Sequence, residues 1–272
     1  MNTTTSAREL AARAAAIRAN AIRVAAGRGQ GYIGQALGTA EILACLHFGV
    51  MDLDGPPAHR DRFVLSPGHY ALAVYAVEAE RGSYEFEELR TYGMDGSRIE
   101  ESPMEGLPGF EVTGGSLAQG LSQAIGLALG QRLLGSTGQV FCLISDGELE
   151  EGQTWEAMLA AGHHRLGNLV VVLDRNRRQV DGPTEEISTL EPVADKLAAF
   201  GLGVGSVDGH DVDALMTALG AAVADRGRPR VVICETELGH GIEALRDASY
   251  PHYVRAEAAV WDDALAALGA SA

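Results

Sequence analysis

Four short apolar runs alternate with helical patterns along this chain, and that alternation restricts its fold more than any other feature. The runs are QVFCLIS (139–145), NLVVVLD (168–174), GLGVGSV (201–207) and RVVICET (230–236). Helical patterns cover 7–26, 38–49, 70–80, 85–92, 116–134, 152–166, 211–225 and 255–268. Apolar strands separated by helices are typical of a parallel sheet with helices on both faces. We therefore predict a single α/β domain over residues 1–272, with long loops at 93–115.

The composition limits the partners of such a domain. The chain has 21 Lys and Arg against 37 Asp and Glu, a formal net charge of −16, which disfavours nucleic acid and anionic membranes as partners. No apolar run approaches the ~20 residues of a membrane-spanning helix. Cys45, Cys142 and Cys234 lie far apart in apolar stretches, which is typical of core residues in a reducing compartment. We expect a cytoplasmic protein.

The Arg- and Ala-rich segment 6–29 has a second interpretation, as a targeting peptide. It lacks the apolar core of a signal peptide, and Ile17 and Ile22 together with the alanines could form one face of a packed helix. An ordinary packed helix is the interpretation we favour.

An acidic turn follows the first apolar run. In LISDGELEEGQTW (143–155), a serine ends the apolar residues, and an aspartate, a glycine and three glutamates follow. Neighbouring parallel strands end at one rim of the sheet, where open α/β sheets bind ligands. Asp146 and Asn176, which follow two such strands, should therefore lie close together. Their oxygens suit Mg²⁺ with phosphate as a co-ligand, and Gly147 would let backbone N–H groups approach that phosphate.

A purely structural interpretation of the acidic turn is also open. Asp146 could cap the next helix, and Glu148, Glu150 and Glu151 would then favour the positive end of its dipole. The second polar loop, DRNRRQVDGPT (174–184), favours the metal site, because it places an asparagine after a buried strand of its own.

The motif SDGELEEGQTWEA, followed by NLVVVLDRN, resembles the thiamine diphosphate motif of the transketolase family, in which Gly-Asp-Gly precedes a later Asn. Four more blocks resemble transketolase blocks in the same order: AEILACLHF (40–48), DRFVLSPGHYALAVYA (61–76), GFEVTGGSLAQGLSQAIGLALG (109–130) and ETELGHG (235–241). The resemblance implies the thiamine diphosphate-binding fold and the cofactors thiamine diphosphate and Mg²⁺. It also implies transfer of a two-carbon ketol unit from a ketose or ketose phosphate to an acceptor.

The resemblance implies a role for each matching position. Asp146 and Asn176 would bind Mg²⁺ through their side chains, and Arg178 through its carbonyl. Gly147 and Glu148 would approach the diphosphate through backbone N–H groups. Gly115, Ser116 and Leu117 would contact the cofactor rings. His69 would contact the diphosphate or the reacting end of the substrate, and His252 would contact cofactor and substrate. Glu151 would lie at a dimer interface between paired active sites. His69, His252 and Glu151 are the catalytic candidates.

Three positions depart from the transketolase pattern. Ser145 replaces the first glycine of Gly-Asp-Gly, a small change at a strand end. Tyr32 in QGYIG and Ser102 in ESPM stand where the family has two histidines that contact the sugar donor. Loss of a proton-transfer histidine costs roughly 10²- to 10⁴-fold in rate, so we expect a changed substrate.

The chain ends before the second domain of a transketolase, which supplies the glutamate that activates the aminopyrimidine ring. The resemblance therefore implies a split enzyme. Its partner would be a C-terminal transketolase-like subunit on a separate chain, with two copies of each in the assembly. The isolated chain is expected to be inactive.

Three other functions stay open. Tyr32 and Ser102 are compatible with decarboxylation of a 2-oxo acid and transfer of the acyl unit to a carrier. The chain could also be a non-catalytic regulatory subunit. An Mg²⁺-dependent phosphate hydrolase with Asp146 as nucleophile would explain the acidic turn, but it leaves the transketolase-like blocks unexplained.

Overall fold

A parallel sheet of five strands forms the centre of the computed structural model, which describes residues 5–248 and 250–270. The strands are β1 (Arg62–Leu65), β2 (Val140–Ser145), β3 (Leu169–Arg175), β4 (Gly203–Asp208) and β5 (Arg230–Glu235). Their order across the sheet is β1-β2-β3-β5-β4, and every neighbouring pair is parallel. The predicted helix-covered parallel sheet is confirmed, with one strand, β1, that the sequence analysis did not include.

Helices enclose this sheet. They are α1 (Ala7–Arg28), α2 (Ile33–Gly38), α3 (Ala40–Cys45), α4 (Ala71–Arg81), α5 (Phe86–Leu89), α6 (Gln119–Leu133), α7 (Gly152–His163), α8 (Thr184–Ile187), α9 (Val193–Ala199), α10 (Val212–Ala224), α11 (Glu243–Arg246) and α12 (Ala258–Ala267). A π-helical turn, Leu46–Val50, continues α3, and 3₁₀ turns lie at Gly68–Tyr70 and Gly147–Glu150. No helix within the described ranges has the length and apolar character needed to cross a membrane.

Two helix boundaries differ from the prediction for a local reason. Helix α6 begins at Gln119 rather than 116, because Ala118 has a φ of 67° and starts the helix from a left-handed turn. Helix α7 ends at His163 rather than 166, because Arg165 has a φ of 48°. A positive φ is incompatible with a continuing right-handed helix.

The two central strands place a hydrophobic core on each side of the sheet. Every residue of β2 and β3 is buried, and alternate side chains of a strand point to opposite faces. Phe141 and Leu143 therefore pack with α1, α3 and α4, whereas Cys142 and Ile144 pack with α6 and α7. This burial on both faces explains why β2 and β3 are apolar throughout, and it brings their carboxyl ends to one rim.

Candidate functional site

A cleft of about 460 Å³ opens at the carboxyl-terminal rim of the sheet. The turn after β2, the loop after β3, the 3₁₀ turn after β1 and the loop before α6 all contribute to its walls. The predicted site residues that line it are His69, Gly115, Leu117, Gly147, Glu151, Arg178 and His252. Asp146, Glu148 and Asn176 are buried at the same rim. Ser116 is exposed and is not part of the cleft wall.

Asp146 is fully buried at the end of β2. Its Oδ2 accepts hydrogen bonds from Nη1 of Arg175 at 2.9 Å and from the backbone N–H of Arg177 at 2.5 Å. Its Oδ1 has no hydrogen-bond partner among the described residues. Burial, reinforced by the neighbouring Asp174, raises the pKa of Asp146 to about 7. A buried carboxylate oxygen without a partner is uncommon and calls for a ligand.

Asn176 lies on the loop that Arg177 fastens to Asp146. Its Nδ2 donates to Oδ2 of Asp174 at 2.9 Å, and its Oδ1 accepts from the backbone N–H of Arg178 at 3.0 Å. These two bonds fix the orientation of the amide. Asp146 and Asn176 were predicted to lie close together. The hydrogen bond from the backbone N–H of Arg177 to Asp146 joins the two loops that carry them.

Asp174 holds the loop that carries Asn176. It is fully buried, and it accepts hydrogen bonds from the hydroxyls of Tyr70, at 2.6 Å, and of Thr236 as well as from Asn176. Its oxygens are therefore committed to protein donors. Tyr70 is one of the residues that line the cleft, so Asp174 also fixes part of the cleft wall.

The donor set at this rim suits a hard divalent cation. Carboxylate, amide and backbone carbonyl oxygens are the ligands that Mg²⁺ takes in proteins. A cation beside Oδ1 of Asp146 would satisfy a buried carboxylate oxygen that has no hydrogen-bond partner among the described residues. It would also offset the negative charge of three buried carboxyl groups, Asp146, Glu148 and Asp174. The residues therefore fit a magnesium ion with a diphosphate.

Glu148 joins three segments of the site. Its Oε1 accepts from the hydroxyl of Ser66 at 2.5 Å and from the N–H of Ala118 at 2.7 Å, and its Oε2 accepts from the N–H of Ser145 at 3.1 Å. Burial raises the pKa of this carboxyl to about 7. The side chain thus holds the ends of β1 and β2 against the start of α6, a structural role beyond the predicted backbone contact.

Two glycines let the loop before α6 approach the turn that carries His69. A Cβ added to Gly68 would lie 2.4 Å from the backbone nitrogen of Gly115, closer than real Cβ contacts. Gly115 itself has a φ of 144°, which side chains disfavour. This close approach brings His69 and Leu117 to the same cleft.

Both candidate histidines are neutral at pH 7. Burial lowers the pKa of His69 and of His252 to about 4, with a further effect of His252 on His69 and of Arg178 on His252. The ring of His69 packs against Tyr32 at 5.2 Å and Tyr70 at 4.9 Å between centroids. A neutral imidazole offers one hydrogen-bond donor and one acceptor to a bound molecule.

Arg175 is the site residue that the sequence analysis missed. Its side chain is 1% exposed, and it bonds to Asp146, to the hydroxyl of Thr184 at 3.1 Å and to Glu191 at 2.9 Å. It thereby holds one oxygen of Asp146 and leaves the other available. Its position in the sequence could have revealed it. An arginine at the end of a central apolar strand is buried, and a buried arginine needs a carboxylate partner.

Glu151, Arg178 and Ser116 are exposed. Glu151 and Arg178 stand at the cleft, as expected from their positions in the motif. Three implied roles remain predictions. Glu151 would lie at a dimer interface, the carbonyl of Arg178 would bind Mg²⁺, and Ser116 would contact the cofactor rings.

The family model described as "Transketolase, thiamine diphosphate binding domain" matches residues 10–259. A transketolase-family protein of Sinorhizobium fredii is 44% identical over 246 residues, covering 88% of this chain and 87% of that protein. The 6-deoxy-6-sulfo-D-fructose transketolase subunit SqwG of a Clostridium species is 38% identical over 245 residues, covering 88% of this chain and 89% of that protein.

Transketolase from Leishmania mexicana has a similar structure. The two superpose with a TM-score of 0.87 and 30% sequence identity, over 96% of this chain and 41% of that one. The similarity thus spans nearly all of this chain and less than half of the Leishmania protein.

Proposed function

The chain belongs to the transketolase family as a thiamine diphosphate-binding domain, and from this premise we propose that it is the diphosphate- and Mg²⁺-binding subunit of a split transketolase-like transferase. The proposed reaction moves a two-carbon ketol unit from a ketose or ketose phosphate to an acceptor. The observation that carries the proposal is the buried Oδ1 of Asp146, without a hydrogen-bond partner among the described groups, at the rim of the cleft.

The proposed cofactor contacts are those that the resemblance to transketolases implies for these positions. Oδ1 of Asp146, Oδ1 of Asn176 and the carbonyl of Arg178 would hold Mg²⁺, and the backbone N–H groups of Gly147 and Glu148 would hold the diphosphate. When bound, thiamine diphosphate supplies the nucleophilic carbon and the electron sink for C–C cleavage. Gly115 and Leu117, which line the cleft, would orient its rings, with Ser116 between them outside the cleft wall.

This chain's own share of the chemistry is orientation and proton handling. His69 and His252 are neutral within the cleft, so each could accept a proton from a donor hydroxyl or donate a hydrogen bond to a carbonyl oxygen. Burial of the cleft wall strengthens such hydrogen bonds, because the local dielectric constant is low.

We further propose that this chain forms one domain and that a second chain, with a C-terminal transketolase-like domain, completes the enzyme as two copies of each. Support comes from SqwG, which is named as a subunit and which this chain matches over nearly its whole length.

Calorimetric titration of thiamine diphosphate into this chain mixed with its candidate partner, with and without Mg²⁺, tests the proposal. Binding that requires both partner and metal is the expected result. Absence of binding under every condition, with both proteins folded, would instead favour a regulatory subunit.

A donor assay then separates the proposed reaction from its main alternative. Consumption of a ketose phosphate by the complex is expected. Release of carbon dioxide from pyruvate, with no ketose phosphate consumed, would select transfer from a 2-oxo acid.

A further inference from the structure

We propose that this chain carries a second ligand site, a pocket near the amino-terminal end of β1 that binds a small apolar carboxylate through Arg81. The pocket has a volume of about 460 Å³, within the range of small-molecule sites. None of its described lining residues belongs to the cleft at the carboxyl-terminal rim of the sheet. The inference therefore goes beyond the proposed function and does not depend on it.

Segments from distant parts of the chain form this second pocket. The π-helical turn after α3 contributes His47, β1 contributes Phe63, and the last turn of α4 contributes Glu78 and Arg81. The loop before α6 contributes residues 106–111. The rings of His47 and Phe63 meet edge to face, with centroids 4.8 Å apart. The pocket is thus built by the tertiary fold rather than by the shape of a single loop.

The loop segment 106–111 is packed closely against α4. A Cβ added to Gly109, whose φ is 87°, would lie 2.8 Å from Cγ of Glu78, so a side chain at this position would have to displace the glutamate. Phe110 packs on Tyr75 of α4 with ring centroids 5.0 Å apart. The pocket is therefore formed before any ligand arrives, which lowers the entropic cost of binding.

The guanidinium of Arg81 makes only long contacts within the protein. Its Nε is buried and has no hydrogen-bond partner among the described residues, although Oε1 of Glu78 lies 3.3 Å away. Its Nη1 lies 3.4 Å from the carbonyl oxygen of His47, and its Nη2 lies 3.4 Å from Oδ1 of Asp54. Bonds between a guanidinium and a carboxylate are normally about 2.7–2.9 Å long. Arg81 can therefore bind an anion more closely than it binds its present neighbours.

The other charged side chains of the pocket wall already have close partners. Glu111 accepts a bond of 2.9 Å from Nη2 of Arg60 and another of 2.9 Å from Nη1 of Arg62. Glu78 accepts a bond of 2.5 Å from a neighbouring serine hydroxyl. Among the lining residues that the structure describes, Arg81 is thus the cation that a ligand can engage without breaking a short ion pair.

The remaining lining decides the class of ligand. Its apolar members are Leu53, Phe63, Leu107, Pro108 and Phe110. One guanidinium pairs with one carboxylate through two parallel bonds, whereas a phosphate dianion carries more charge than a single cation offsets. An apolar body with one carboxylate therefore fits this lining better than a phosphate ester does.

The acidic character of the whole chain does not oppose such binding. The formal net charge is −16, but charges more than about 8 Å away are largely screened at physiological ionic strength, so the nearby groups decide. Arg62 shares Glu111 with Arg60, and with Arg81 three guanidiniums stand against the carboxylates of Glu111 and Glu78. The carboxylate of Asp54 is 93% exposed and is screened by water.

Calorimetric titration of benzoate into the full chain, without cofactor or partner, tests the site. We expect one saturable site with a Kd on the order of 1 mM, as for a ligand of this size. Benzamide, the uncharged compound of the same shape, should bind at least about 10-fold more weakly, because it cannot form the charged pair with Arg81. Inorganic phosphate should not compete with benzoate.

Substitutions of Arg81 test its role in binding. Arg81→Gln should weaken benzoate binding by at least about 10-fold, and Arg81→Lys, which keeps the charge without the planar fork, by roughly 3- to 10-fold. Arg90→Gln, at an arginine whose side chain is 56% exposed, is the matched control and should keep the wild-type affinity. Equal affinity for benzoate in Arg81→Gln and the wild type would overturn the proposal.

Chemical-shift mapping of the wild-type chain locates the ligand without any substitution. Benzoate should shift the backbone amide signals of residues 106–111 and leave those of Gly147 and Glu151 at the cleft unchanged. Shifts confined to the cleft, with affinity lost in Arg178→Gln, would place the anion there and overturn the second site. Absence of saturable binding at millimolar benzoate would also overturn it, and tighter binding of phosphate than of benzoate would overturn the assigned class.

Discussion

Asp146 combines two features that rarely coincide in a folded protein, complete burial and one carboxylate oxygen without a hydrogen bond among the described residues. Its other oxygen is held by Arg175 and by the N–H of Arg177. The side chain is therefore oriented before any ligand arrives. Such orientation lowers the entropic cost of binding, because no rotamer has to be selected at that moment.

We expect Asp146→Asn and Asn176→Ala each to weaken Mg²⁺-dependent binding of thiamine diphosphate to the complex by at least about 10-fold, since each would remove one of the few proposed protein ligands of the ion. Calorimetry at several Mg²⁺ concentrations measures the change. Asp181→Asn, which removes an exposed carboxylate from the same cleft, is the control. An unchanged affinity in both metal-site variants would refute the assignment of these ligands.

His47 makes the stability of the fold depend on pH. It is 4% exposed, and burial, with the Arg81 charge nearby, lowers its pKa to about 3. An unfolded chain has a histidine pKa of about 6.5, so between these values the unfolded state binds one more proton. The contribution of this group to the free energy of unfolding therefore falls as the pH drops below about 6.5, with a slope of up to ~1.4 kcal/mol per pH unit. His69 and His252 contribute with the same sign, and Asp146 and Glu148 with the opposite sign.

Replacing the imidazole tests this dependence. We expect His47→Leu to flatten the dependence of the free energy of unfolding on pH between pH 4 and 6, as followed by urea denaturation. His164→Gln, at an exposed histidine, should keep the wild-type slope. A His47→Leu curve parallel to the wild-type curve would show that the buried imidazole is not the titrating group.

At the scale of elements, one buried ion pair connects α1 to α3 and one more exposed ion pair connects α1 to α4. Arg18 pairs with Glu41 of α3 through two bonds of 2.5 Å, and both side chains are at most 10% exposed. Burial alone would raise the pKa of Glu41, but hydrogen bonds from His210 and Arg18 lower it to about 2. Arg13 pairs with Glu80 of α4, where the arginine side chain is 45% exposed.

These pairs should respond very differently to loss of the carboxylate. We expect Glu41→Ala to lower the free energy of unfolding by about 3–5 kcal/mol, because Arg18 would remain buried without a counter-ion. Glu80→Ala should cost less than about 1 kcal/mol, as exposed pairs do. Equal effects of the two substitutions in chemical denaturation would contradict the dependence on burial.

The elements that the sequence predicted are those with long or strongly apolar patterns. Strands β2, β3 and β5 were identified within about a residue, because central strands are apolar on both faces. Strand β1 was missed because it has four residues. Helices α2, α8, α9 and α11 were missed because their four to seven residues are too few for a clear helical period, although α5, also of four residues, lies within the predicted pattern 85–92.

The candidate site was predictable where it depends on topology. Asp146 and Asn176 follow adjacent parallel strands, so their proximity follows from the fold class. Arg175 and the anchoring of Glu148 by Ser66 and Ala118 were not predictable, because they depend on which side chains meet across distant segments. The edge-to-face contact of Tyr32 with Tyr253 is of the same kind.

For the whole molecule, the proposed division of one active site between two chains predicts that the isolated chain does not turn over. We expect no steady consumption of a ketose phosphate by the purified chain with Mg²⁺ and thiamine diphosphate, and activity on addition of the partner. Sustained turnover by the purified chain would contradict the split arrangement. The Leishmania transketolase, of which this chain matches 41%, provides a positive control for the assay.

The pairing of Gln30 and Gly31 with Arg255 and Val254 has a consequence for biosynthesis. Most of the polypeptide separates these partners, so Tyr32 cannot meet Tyr253 until translation is nearly finished. Contacts between such distant positions form slowly, and domains fold as the chain leaves the ribosome from its amino-terminal end. The loops after β2 and β3 can therefore leave the ribosome before the segment that packs against Tyr32 has been made. A ribosome stalled before residue 253 would hold a chain in which Tyr32 has no Tyr253 to pack against.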